Sequence, residues 1–400
     1  MTTDRPLKVF LVVGEESGDQ LGARLMAALR RQDETIAFAG VGGDRMAGEG
    51  FASLFPLHDI AVMGIGPVLR RLPTILRRIR ETVAAVVAAR PDVLVIIDSP
   101  DFTHRVARQV RARLPDLPVV DYVSPSVWAW RPGRARRMAA YVDRLLALLP
   151  FEPAVHARLG GPATSYVGHP LIDRPEVLRP APGERLAIEA TDEPTLLVLP
   201  GSRSGELDRM LKLYGEVVGH LAASGRRFRL RLPAVERLRE RISAETADWA
   251  VRPEIVVGEA AKFAAFRQAH AALATSGTVT LELALAGVPM VVAYARDPLF
   301  KLVTEIVRRL PGQVLITSFV LPNIILGHNA IPEYLDPDLA PAMLATRVGS
   351  LLEPGTPRAA QVAELERLWS VMALPDGRPA ADSAADIVLR LAREGRPATR

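Results

Sequence analysis

Lys8-Val9-Phe10-Leu11-Val12-Val13-Gly14-Glu15-Glu16-Ser17-Gly18-Asp19-Gln20 reads as an apolar strand that turns on glycine into a helix. An unbroken apolar run suits a strand buried on both faces, as in parallel sheets. The pattern recurs. Val93–Ile97, Val119–Tyr122 and Leu145–Leu149 are further runs, with helical periodicity over Gln20–Arg31 and Pro67–Ala89. A second series passes through Thr195–Leu199, Phe228–Leu232, Ile255–Val257, Ala271–Ala274 and Met290–Ala293. Between the series, Asp173–Pro194 is proline-rich and aperiodic. The alternation predicts an α/β chain of two Rossmann-like, doubly wound domains, over 1–172 and 195–355, joined by a linker at 173–194. Residues 356–400 read as helices, clearest at Ala359–Met372 and Ala380–Arg393, that pack back on the N-terminal domain or on a partner subunit. Tandem domains of this kind predict an interdomain cleft, with ligands at the carboxyl ends of the strands.

Composition narrows the chemistry. The 400 residues are 49% hydrophobic and 24% charged, a globular balance. Absence of cysteine excludes disulfides, thiolate metal sites and cysteine nucleophiles. The seven His form no HExxH pair, so no metal site is expected. Four of the 50 basic residues are Lys, and 15 Arg against seven acids lie between Ala61 and Arg144. That surplus favours phosphates, anionic lipid or nucleic acid as partners of the first half. No apolar stretch approaches the ~20 residues of a membrane span, and the N-terminus does not read as a signal peptide. The expected compartment is the cytosol.

Five loops at strand ends carry the chemistry. Gly14–Asp19 is either a plain strand–turn–helix or a seat for sugar hydroxyls. Asp98, ending Val93–Ile97, either caps the helix after Pro100 or serves as a general base. Tyr122-Val123-Ser124-Pro125-Ser126-Val127-Trp128-Ala129-Trp130-Arg131 offers stacking surfaces and guanidinium groups, or core tryptophans. In the second domain, Leu199-Pro200-Gly201-Ser202-Arg203-Ser204-Gly205-Glu206 and Thr275-Ser276-Gly277-Thr278-Val279-Thr280-Leu281-Glu282 both open helices. Their amides, hydroxyls and guanidinium suit a diphosphate, and Glu282 is placed to accept ribose hydroxyls.

With these loops in view, the chain resembles the lipid-A-disaccharide synthases, inverting glycosyltransferases of GT-B architecture. The resemblance runs through GEESGD at Gly14–Asp19, GVGGDRM around Val41, AVMGI at Ala61–Ile65 and IDSPDF at Ile97–Phe102. It continues through YVSPSVWAWR at Tyr122–Arg131, LPGSR at Leu199–Arg203, TSGTVTLE at Thr275–Glu282 and LPN at Leu321–Asn323. YVSPSVWAWR is the most diagnostic, because other nucleotide-sugar enzymes lack it.

The resemblance implies transfer from UDP-2,3-diacylglucosamine to the 6-hydroxyl of 2,3-diacylglucosamine 1-phosphate, with no cofactor and no metal. Asp98 would be the base. Ser202, Arg203, Glu206, Ser276, Gly277, Thr278, Glu282 and Asn323 would lie near the donor. Gly14, Glu15, Ser17, Gly18, Asp19, Met63, Gly64, Ser124, Trp128 and Arg131 would lie near the acceptor and reacting sugars. The basic, apolar stretch Ala61–Arg80, with Leu69, Leu72, Leu76, Ile79 and Val83 at helical spacing, either meets an anionic membrane or packs on the core. The implied setting is the cytoplasmic face of the inner membrane, without nucleic acid, and a homodimer is among the assemblies allowed. Glu16, Ser99 and Asp336 depart from the family's usual Ala, Ala and Gln. Other GT-B transferases, nucleotide-sugar 2-epimerases and a non-catalytic binder of anionic glycolipid or nucleic acid are the competing readings.

Overall fold

The computed structural model describes residues 5–61, 65–295 and 318–396, with backbone alone over 65–70. The chain divides into two compact units. One contains residues up to Pro170 and from Leu374 onward; the other is Leu171–Ala373.

The first unit is built on a parallel sheet of β1 (Lys8–Val13), β2 (Ala37–Val41), β3 (Val93–Ile97), β4 (Val119–Tyr122), β5 (Arg144–Ala147) and β6 (Thr164–Tyr166), in the order β2-β1-β3-β4-β5-β6. Alternate side chains of one apolar run feed two cores. Val9, Leu11, Val13, Val93, Val95 and Ile97 pack with Leu25 and Leu29 of the Glu16–Gln32 helix and with Val388 and Leu389 of the Ala380–Glu394 helix. Phe10, Val12, Leu94 and Ile96 pack on the other face with Ile79, Val83 and Val86 of the Ile65–Ala89 helix and Val106 and Val110 of the Pro100–Arg111 helix. Each fully buried aliphatic side chain contributes about 1.5–3 kcal/mol, so both layers are energetically committed.

The second unit carries β7 (Thr195–Leu199), β8 (Arg229–Ala234), β9 (Glu254–Val257), β10 (Ala271–Ala274), β11 (Met290–Tyr294) and β12 (Glu333–Leu335), also parallel, in the order β12-β11-β10-β7-β8-β9. Leu196, Val198, Leu273 and Val291 pack against Tyr214, Val217 and Leu221 of the Ser204–Ala223 helix. The 173–194 segment is part of this unit. Leu178 and Ile188 are buried. The Arg185 guanidinium donates to the carbonyls of Arg267, Gly287, Phe266 and Ala286 at 2.8–2.9 Å. The segment's prolines leave only the short helix Pro175–Leu178 and a 3₁₀ turn at Ile188–Ala190, and such a segment can still pack.

The C-terminal helices separate between units at Ala373. Thr356–Met372 stays in the second, where Trp369 Nε1 donates to Leu285 O at 2.8 Å. Ala380–Glu394 joins the first, where Gln32 Nε2 donates to Asp386 Oδ1 at 2.7 Å. Leu374-Pro375-Asp376-Gly377, with Gly377 at φ 66, breaks the helix between them.

Candidate active site

Each sheet reverses its winding once. In the first unit, β1 runs outward to β2 and then β3 returns to its other side. In the second, β7 leads to β8 and β9, and β10 returns beside β7. Such switch points open a crevice at the carboxyl ends of two neighbouring strands, because the connections leave in opposite directions. Gly14–Ser17 and Asp98 lie at the first switch point; Gly201–Arg203 and Ser276–Thr278 lie at the second.

At the first, glycine is needed for close approach. A Cβ on Gly14 would lie 2.2 Å from Ser99 Cβ, and one on Gly18 would lie 2.7 Å from Val13 Cγ1. The two loops therefore touch, and Ser17 Oγ donates to Asp98 Oδ2 at 2.7 Å. Ser99 N donates to Asp98 Oδ1 at 2.7 Å. Asp98 and Ser99 have φ of 57 and 44, left-handed values uncommon for residues with side chains. Asp98 is half-buried, while Glu15 and Ser17 are exposed beside it. Asp19 departs from the expectation. It is 2% exposed, and its oxygens accept from the amides of Gly43, Arg45 and Met46 at 2.7, 2.8 and 3.2 Å. It anchors the Asp44–Gly48 helix, its carboxylate turned to backbone amides and away from solvent. Met63 and Gly64 lie outside the described residues.

The Tyr122–Arg131 loop leaves the same sheet edge, and Asp98 N donates to Tyr122 O at 3.2 Å. Its polar groups turn largely inward. Ser124 Oγ lies 2.9 Å from His156 Nε2, and Trp128 Nε1 donates to Glu152 Oε1 at 3.3 Å. Ser124 and Trp128 thus shape the loop from beneath. Trp130 is 45% exposed, with the Arg131 guanidinium 5.2 Å from its ring centroid, so these two face solvent.

Burial drives the Glu152 carboxyl up to about 7. A raised carboxyl pKa stabilises the fold while the group is protonated, and this is lost as pH rises from about 4.5 through about 7. The loss is about 3 kcal/mol. His156, His169 and His270, pushed down to about 4 by burial, act oppositely and lower stability as pH falls below 6.5. Comparing Glu152→Gln with the parent cancels the histidines. The Gln variant should gain melting temperature over the parent between pH 5 and pH 8, read by thermal melts; parallel curves would exclude an ionisable Glu152.

In the second unit, Gly201 has φ 110, a conformation that glycine adopts without strain. Glu206 turns back onto this loop. Its Oε2 accepts from Ser202 N and Arg203 N at 3.0 and 3.3 Å, and Oε1 accepts from Arg203 Nη1 at 3.1 Å. Glu206, expected at the donor, is the capping carboxylate of the Ser204–Ala223 helix. Ser202 and Arg203 remain exposed, the Arg203 side chain 66% so. Ser276 Oγ donates to Phe319 O at 2.7 Å, and Gly277 and Thr278 are exposed at the start of the Thr278–Leu285 helix. Asn323, also expected at the donor, is 1% exposed and clamps the Ile331 backbone, donating at 2.9 Å and accepting at 2.8 Å.

Glu282 has a partner that sequence reasoning missed. Lys262 Nζ lies 3.0 and 2.9 Å from its two carboxylate oxygens and 4.3 Å from the Phe263 ring centroid. One signal was available: a lysine is rare in a chain where 46 of 50 cations are arginine.

Paired Rossmann-like units, each with loops gathered at a switch point, are the GT-B architecture. Solved structures share this fold: a putative UDP-N-acetylglucosamine 2-epimerase from Listeria monocytogenes (TM-score 0.60, 13% identity, 97% of this chain and 96% of that one) and MurG from Acinetobacter baumannii (0.55, 13%, 96% and 100%). Within that class the sequence is decisive. The lipid-A-disaccharide synthetase family model matches residues 9–369, and the chain belongs to that family. A lipid-A-disaccharide synthase of Nitrobacter winogradskyi is 52% identical over 390 residues, covering 97% of this chain and 96% of the relative. One from Bradyrhizobium diazoefficiens is 50% identical over 394 residues, covering 98% of each.

Proposed function

We propose that the chain transfers 2,3-diacylglucosamine from UDP-2,3-diacylglucosamine to the 6-hydroxyl of 2,3-diacylglucosamine 1-phosphate, giving the β-1′,6-linked disaccharide 1-phosphate and UDP. The observation that carries this reading is the half-buried Asp98 carboxylate, held by Ser17 and Ser99 at a switch point, on a segment shared with the family. Asp98 takes the hydroxyl proton as the acceptor oxygen bonds to the anomeric carbon. The bond from that carbon to the diphosphate breaks with inversion, and its electron pair leaves on UDP. Charge accumulating on UDP meets the Arg203 guanidinium, the Ser202 hydroxyl and the first amides of the Thr278–Leu285 helix. Glu282, oriented by Lys262, accepts the ribose hydroxyls.

UDP alone should raise the melting temperature, because a ligand that binds only the folded chain stabilises it. A flat titration would remove the donor assignment. Turnover should also survive excess EDTA, since arginine and helix amides meet the leaving charge in this scheme. Complete loss restored by magnesium would relocate that role to a cation.

For the acyl chains and the membrane, the support is on the Ile65–Ala89 helix. Its later apolar residues Ile79, Val83 and Val86 are core, whereas Leu72 and Leu76 are 39% and 38% exposed beside exposed Arg71, Arg77 and Arg80. Among the described residues no helix is long and apolar enough to cross a membrane. This face adheres to the anionic cytoplasmic leaflet of the inner membrane, each Arg near the surface adding ~1 kcal/mol. Flotation with phosphatidylglycerol vesicles should show binding at low salt that falls at high salt. Binding indifferent to salt would mean apolar attachment alone.

A further inference from the structure

Asp121 is the third residue of β4, paired in register with Ile96 and Leu145, and fully buried in the apolar layer that also holds Leu94 and Val119. His104 Nε2, on the Pro100–Arg111 helix, lies 3.0 Å from Asp121 Oδ2. His104 Nδ1 lies 3.1 Å from the hydroxyl of Tyr141, with the rings edge to face. A chain Asp121–His104–Tyr141 therefore runs through a layer that is otherwise apolar. Arg134 and Asp98 act on Asp121 through space, and Arg108 and Arg137 act on Tyr141. Burial pushes the Asp121 carboxyl up and His104 opposes it.

A buried polar pair adds little net stability, because desolvation cancels most of the attraction, and well-packed aliphatics do as well. Its distinctive property is positional: it seats the start of one helix against one strand. Asp98 immediately precedes that helix, whose N-cap is Ser99. Thr103, adjacent to His104, donates its hydroxyl to Asp98 O at 2.7 Å and lies 3.1 Å from Ser99 O. Tyr122, adjacent to Asp121, accepts from Asp98 N at 3.2 Å. Left-handed backbone at Asp98 and Ser99 is costly and persists only where its surroundings over-determine it.

We propose that His104 and Asp121 are positioning residues, clasping the first turn of the Pro100–Arg111 helix to β4 so that Asp98 keeps its aim at the acceptor hydroxyl. The clasp rests on the reading of Asp98 as the base.

The test is the double variant Asp121→Val/His104→Leu, which removes the pair without leaving a buried charge alone. Its melting temperature should stay within a few degrees of the parent. Its kcat should fall tenfold or more, with both KM values and UDP affinity within twofold. Asp121→Asn, which keeps a side chain of the same shape with a polar atom opposite His104 Nε2, should return most of the turnover. A double variant with parental kcat, or one losing kcat, KM and UDP affinity together, overturns the clasp. Asp98→Asn in the same assay separates the two levels. If it is inactive while the double variant is fully active, the base stands and the clasp fails. If Asp98→Asn is active, the base reading fails and takes the clasp with it.

Discussion

Asp98→Asn lowers turnover by roughly 10²–10⁴-fold with UDP affinity nearly unchanged, the range that general base catalysis contributes. The substitution keeps the side chain's size and the acceptor oxygen that meets Ser99 N, so the local backbone has no new reason to move. It removes basicity. A primary hydroxyl is a poor nucleophile at neutral pH, and without an acceptor for its proton the glycosidic bond forms slowly. Glu15 is the competing carboxylate, exposed on the neighbouring loop. Steady-state kinetics of Asp98→Asn beside Glu15→Gln decides between them. Near-parental turnover for the first and loss for the second would move the base to the glycine loop.

Glu282→Ala weakens UDP binding by about 10- to 100-fold. A hydrogen bond to a charged acceptor contributes ~1.5–3 kcal/mol, and each 1.4 kcal/mol is a factor of ten. Removing the carboxylate also frees Lys262, so Lys262→Met is the informative companion. It should cost less than Glu282→Ala, since the acid stays and loses only its orientation. Calorimetric titration of UDP measures both. Equal affinity for the parent and Glu282→Ala would refute the ribose contact, and a larger loss in Lys262→Met would place the ammonium itself on the nucleotide.

The interior of the fold was legible because it follows from burial. Val93–Ile97 and Thr195–Leu199 are central strands, wholly buried, so their apolar runs give them away. The strands left unread, β2, β6 and β12, are all sheet edges. Thr164–Tyr166 and Glu333–Leu335 are three residues each and half-exposed, too short to show a period, and Ala37–Val41 buries only its last two residues and is rich in small Ala and Gly. The amphipathic stretch after Ala61 was ambiguous for a related reason. One stripe serves two environments, with Ile79 and Val83 in the core and Leu72 and Leu76 outside it.

In the candidate site, loop positions were legible and side-chain allegiances were not. Gly14 and Gly18 announced a close approach, but not that Ser99 and Val13 would be the neighbours. Ser17 and Asp98 meet across 81 residues of sequence. The resemblance alone places Asp19 near the reacting sugars and Glu206 near the donor. Their other option, capping nearby amides, prevails where the backbone leaves several donors converging on one point. Glu206, three residues after Arg203, had the spacing of a capping box.

The most direct test is product analysis of the purified chain incubated with UDP-2,3-diacylglucosamine and 2,3-diacylglucosamine 1-phosphate. The expected result is one β-1′,6-linked disaccharide 1-phosphate for each UDP released, identified by mass spectrometry and anomeric NMR coupling, and no reaction of the donor in the absence of acceptor. A donor epimerised at C2, UDP released without disaccharide, or an α-linked product would contradict an inverting transfer to the acceptor hydroxyl.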